Sequence, residues 1–116
     1  MKLIVYDLIG ENCLTLDDGQ KIYDLIHPEL IASHQIELDF DKAKVFASPF
    51  FNIAIGRLLK DIKSEDLNRL LKVNNLAPVG YSVLKRVIEN SKEYYSPNEN
   101  TRKALDAVLL EQSENL

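Results

Sequence analysis

The sequence predicts an α/β fold: a small mixed β-sheet with helices packed mainly on one side, followed by a C-terminal amphipathic helix. Three observations carry this. Apolar runs with strand and helix periods alternate along the chain, which argues for helices layered on a sheet. Ile36, Leu38 and Phe40 alternate with Glu37 and Asp39, the period-two pattern of a strand. Residues 50–59 are apolar almost all round, as a buried helix is.

Each element follows in order. Residues 3–8 form a nearly continuous apolar run with β-branched members and read as a first strand covered on both faces. Gly10-Glu11-Asn12 is a turn signal. Thr15-Leu16-Asp17-Asp18 resembles a capping box with Asp in the place of the usual Glu. The helix it opens carries Ile22, Leu25, Ile26 and Leu30 on one face. Pro28 disfavours helical geometry at His27, so a kink or restart is expected there. Ser33-His34 leads into the second strand, residues 35–40. After a polar loop, a helix is predicted over 49–60. Ser48 is suited to cap it and Pro49 to fill its first position, where no N–H is needed. Gly56 costs that helix roughly 1 kcal/mol relative to Ala, which predicts close packing against another backbone.

Ser64 opens a short helix with Leu67, Leu70 and Leu71 inward. Residues 72–76 read as a strand of low intrinsic propensity, because Asn74 and Asn75 disfavour one. Ala77-Pro78 starts a longer helix with Val79, Val83, Leu84, Val87 and Ile88 at helical spacing. Residues 96–100 read as a loop. A final helix over 101–111 carries Leu105, Val108 and Leu109 on one side and is too short to stand alone. It must dock on the domain or build a homodimer with a second copy. The expected organisation is therefore a domain over 1–96 and a helical extension over 97–116.

Composition excludes several function classes. The 116 residues suit one core, and 46% apolar content is normal for a globular chain. A net charge of −4 without a basic run argues against general nucleic-acid binding. The longest apolar stretch, residues 45–59, is broken by Ser48, Pro49, Asn52, Gly56 and Arg57, so no membrane span is expected. The first residues lack a signal-peptide cleavage region, and the single cysteine, Cys13, excludes an intramolecular disulfide. A cytoplasmic location is the default reading.

No cofactor is expected. Gly10 and Gly19 make no phosphate loop. Cys13, placed in a loop, has neither the companions of a zinc site nor a base partner. Glu37, Asp39 and Asp41 form an acidic edge that reads as a solvated strand face, with Mg²⁺ binding the remote second reading. His27 and His34 are too few and too separate for a relay, and Ser48 has no G-x-S-x-G setting.

Taken together, residues 36–59 resemble the STAS domain, the fold of bacterial anti-sigma-factor antagonists and sulfate-transporter tails. Leu38-Asp39-Phe40 falls on the family's strand. Ser48 falls on the serine those antagonists have phosphorylated, and Gly56 on the helix glycine. The pattern is closer still to STAS-like domains of unassigned function, which carry Phe just after that serine. Ala47 stands where the antagonists have Asp, and Pro49 and Phe50 where they have small residues. The resemblance implies a bacterial, non-enzymatic regulatory module that binds a protein partner, a histidine-kinase-type ATPase. Ser48 is the implied phosphorylation or docking residue, and Asp39, Asp41, Phe50 and Asn52 are expected to share its docking surface. The departures around Ser48 favour docking over phosphorylation. Two alternatives remain: a partner-binding component of a toxin–antitoxin or phage-defence pair, and a small hydrolase or transferase using Ser48.

Overall fold

The computed structural model describes residues 1–95. The predicted helix over 101–111, its homodimer and the extension over 97–116 lie outside the described residues.

Strand β3, Ile36–Asp39, is the centre of the main sheet. It pairs in parallel with β1, Lys2–Ile4, on one side and with β5, Leu71–Asn74, on the other. A second pair, β2 (Asn12–Cys13) and β4 (Val45–Phe46), is parallel too. The sheet is thus parallel throughout, where a mixed one was predicted. The reason is connectivity. Helical crossovers separate the main strands, and parallel strands need such crossovers, whereas antiparallel neighbours can be joined by a tight turn.

Register sorts the two faces. Leu3, Leu38 and Val73 lie side by side, with Ile36 and Leu71 on the same face, and all pack into or against the core. The opposite face carries the row Lys2, Glu37, Lys72, whose alternating charges suit neighbouring strands.

The first strand is shorter than predicted. Instead of extending over 3–8, the chain turns into helix α1, Val5–Ile9. The β1–β3 ladder ends at Ile4↔Asp39. Past that point the backbone has no neighbouring strand, so a helical turn satisfies it instead. Gly10 stops the turn at φ 83°, a region open to glycine, and donates its N–H to Tyr6 O at 2.8 Å.

Helix α2, Leu16–Ile31, starts as predicted: Asp18 N donates to Thr15 Oγ1 at 3.1 Å. It continues through Pro28 and buries Ile22, Tyr23, Ile26 and Leu30, while Leu25, expected inward, is exposed. Helix α3, Ser48–Ala54, is shorter than the predicted 49–60. Ile55 leaves helical geometry at φ −126°, and the chain tightens into a 3-10 helix, Gly56–Lys60. Helix α4, Ser64–Leu70, hands over directly to β5, and α5 follows as Pro78–Tyr94. Leu84 and Val87 of α5 are buried, whereas Val79 is exposed and Gly80 takes the inward position.

Close backbone packing occurs at Gly19, not at Gly56. A Cβ on Gly19 would lie 2.6 Å from the carbonyl oxygen of Phe50, so α2 and α3 touch backbone to backbone there. A Cβ on Gly56 would instead meet the Ser91 and Val87 side chains of α5. Above this seam Phe51 is surrounded by rings: its centroid is 5.2 Å from Phe50, 5.9 Å from Phe40 and 6.1 Å from Phe46. One helix thereby joins both sheets through apolar contact, which explains why its sequence lacks a polar face.

Candidate functional site

The surface around Ser48 is built by the β2–β4 pair and the start of α3. Ser48 is exposed and occupies the first helical position. Ala47 is the N-cap, at φ −138° and ψ 151°, and makes no side-chain cap. The predicted capping role of Ser48 is therefore corrected. Ala47 N donates to Cys13 O at 3.0 Å, which extends the β2–β4 pairing by one residue and holds Ala47 in strand geometry. The helix then begins at Ser48, and Pro49 sits in the first turn, where its missing N–H costs nothing. The Ser48 hydroxyl is left facing solvent.

Of the other residues expected beside Ser48, Asn52 and Asp41 are exposed. Phe50 is 0% exposed and packs edge-on against Phe51, so it supports the surface from beneath.

Asp39 belongs to a different arrangement. It is 7% exposed, not solvated as the alternating pattern predicted. Its Oδ1 accepts from Asn75 Nδ2 at 3.0 Å and from Asp41 N at 2.9 Å, and Lys2 Nζ lies 3.5 Å from Oδ2. The Asn75 hydrogen bond, then that of the Asp41 backbone, holds the carboxyl below its ordinary value. Asn75 reaches it from a left-handed backbone, φ 58°. The carboxylate thus ties the end of the central strand to the exit of β5. Among the described residues no hydrogen bond or ion pair joins Asp39 or Asp41 to Ser48 or Asn52. The predicted set divides into a surface on α3 and a latch at the end of β3.

Three exposed apolar residues on the segments flanking the β2–β4 pair were not predicted. Leu14, Leu16 and Val45 are 37%, 56% and 46% exposed. Val45 is in β4, the Cys13↔Phe46 register sets Leu14 alongside Ala47, and Leu16 opens α2. Exposed apolar side chains clustered at one junction are a mark of contact surfaces. In the sequence each is merely an apolar residue at an element boundary, and only the β2–β4 pairing sets the chain around Leu14 beside that of Val45.

The other candidate groups are already engaged. His27 Nε2 lies 3.0 Å from Asp61 Oδ2 and stacks on Tyr23, while His34 Nδ1 lies 2.7 Å from Glu29 Oε2. Neither histidine is hydrogen-bonded to Ser48. Cys13 is fully buried in β2 rather than in a loop, and burial pushes its thiol up to about 11. A neutral, enclosed thiol is a poor nucleophile. Among the described residues no group of three or more His, Cys, Asp or Glu could hold a metal ion. No described helix is long and apolar enough to cross a membrane.

A family model described as the STAS-like domain of unknown function (DUF4325) matches residues 18–81, from the first turn of α2 to the start of α5. The match takes in β3, the Ser48 surface and the Asp39 latch. No curated protein and no solved structure matches the chain.

Proposed function

Because the chain belongs to this family of STAS-like domains, which are regulatory, non-catalytic modules, we propose that it regulates a protein partner by docking through the Ser48 surface. The observation that carries this is the exposed Ser48 at the start of α3, with the apolar Leu14, Leu16 and Val45 also exposed on the segments that flank the β2–β4 pair. The apolar side chains supply contact area, and Ser48 and Asn52 supply polar contacts at its margin, the usual anatomy of a non-obligate interface. The partner we propose is an ATPase of the histidine-kinase type. Phosphorylation of Ser48 would add about −1.5 to −2 charge beside the apolar cluster, altering docking with the fold intact. Ala47, Pro49 and the buried Phe50 favour docking without that modification. A hydrolase reading is not supported by the geometry, since Ser48 has no hydrogen-bonded base among the described residues.

The test is co-expression with the proteins encoded beside it, followed by affinity capture. Wild type, Ser48→Ala, Ser48→Asp and Leu16→Asp are compared, each first checked for an unchanged unfolding midpoint. Capture of one partner by wild type, lost in Leu16→Asp, is expected. Equal capture by all four would remove this surface from the mechanism. Loss in Ser48→Asp alone would identify charge at Ser48 as the switch.

A further inference from the structure

At the far end of α3 from Ser48 the described residues leave an apolar cleft of about 140 Å³ between the 3-10 helix, α4, β5 and α5. Leu59, Leu67, Leu71, Val73 and Ile88 are among its walls, and Lys92 is the one charged residue lining it among the described ones. The last turn of α5, which includes Lys92, ends at Tyr94. The described chain thus leaves the fold beside the cleft, and residues 96–116 follow.

We propose that residues 101–111 fold back as a helix onto this cleft of the same chain and set Leu105, Val108 and Leu109 against its apolar walls. Three features select this occupant. The stripe has the spacing of one helix face and residues large enough to fill a small apolar space. The reach is sufficient: five linker residues, 96–100, span up to about 17 Å, enough to reverse direction beside Lys92. From Leu84 to Lys92, α5 is about 12 Å long, which a helix of 11 residues, about 16 Å, covers. Charge is complementary as well. Residues 96–116 carry Glu99, Asp106, Glu111 and Glu114 against Arg102 and Lys103, and the cleft offers Lys92. This inference does not depend on the Ser48 surface, which lies at the other end of α3.

The experiment uses the full chain with Ala107→Cys, which helical spacing sets on the side opposite Leu105, Val108 and Leu109, carrying a nitroxide label. Cys13 is buried and its thiol pushed up to about 11, so the label attaches to the introduced cysteine. Loss of the amide signals of Asn68, Leu71 and Lys92 is expected, with those of Leu14 and Asp17 retained. Adding Leu105→Asp should restore the lost signals. Signals retained without that substitution, or not restored by it, would overturn the proposal. So would their loss in a mixture where label and isotope are on different molecules, since a second copy would then occupy the cleft.

Discussion

Gly19→Ala is the sharpest perturbation of the α2–α3 seam, because two effects of opposite sign meet there. Alanine improves helix propensity by about 1 kcal/mol over glycine. Its methyl group would also lie 2.6 Å from the Phe50 carbonyl oxygen and 3.1 Å from the Ile53 side chain. That is about 0.8 Å inside ordinary contact, and the atom struck is backbone within a buried helix, which cannot rotate away. The helices must part instead. A gap of 0.5–1 Å forfeits roughly a quarter to a half of each dispersion contact along the seam. Overpacking of this kind costs about 1–3 kcal/mol, rising toward the upper end where backbone must move. The net expectation is a loss of about 1–2 kcal/mol. At about 4–8 °C per kcal/mol for a domain near this size, the unfolding midpoint should fall by roughly 5–15 °C.

Gly56→Ala is the internal control. The nearest atom there is Ser91 Oγ, at 2.6 Å, the end of a side chain that can turn aside. Val87 Cγ1, at 3.1 Å, is a side-chain atom as well, so the loss should be smaller than for Gly19→Ala. Urea and thermal unfolding followed by circular dichroism measure both. A Gly19→Ala protein as stable as wild type, or less affected than Gly56→Ala, would refute the backbone-contact argument.

Ser48→Ala should change stability by less than about 0.5 kcal/mol, because the exposed hydroxyl makes no cap; a larger loss by urea denaturation would contradict this. Asp39→Asn should lower the urea midpoint at pH 7. Since the Asp39 carboxyl is held below its ordinary 3.8, it stabilises the fold above that pH, and the contribution is lost as pH falls through the lower folded value. The variant should therefore show a shallower decline of stability in acid, measured by urea midpoints from neutral pH downward; parallel curves would show that the latch carries no such linkage. Cys13 should be unreactive toward a disulfide reagent in the native protein at pH 8 and should react once urea unfolds the chain; rapid native labelling would contradict its burial.

Local signals were legible wherever neighbours in sequence decide the outcome. Thr15 opens α2, Ser64 opens α4 and Pro78 starts α5 because first-turn positions are settled within a few residues. The alternation through Ile36, Leu38 and Phe40 marked the central strand because one face must be apolar. The resemblance around Leu38, Ser48 and Gly56 also identified the family from sequence. The apolar run at 3–8 was misread because strand length depends on how far a partner extends, and β3 offers pairing only to Asp39.

Ser48 shows the division most clearly. Its type and its place before Pro49 suggested a cap, and only the bond from Ala47 N to Cys13 O, across 34 residues of sequence, moved the helix start and released the hydroxyl. The sequence by itself determined which segments are apolar, where α2, α4 and α5 begin, and that the alternating segment from Ile36 is a strand. Tertiary structure decided where β1 and α3 end, that Asp39 is a latch and Phe50 a support, and which apolar residues flanking the β2–β4 pair stay exposed. The physical reason is that propensity and periodicity act over a few residues, whereas backbone pairing and burial are set by partners far along the chain.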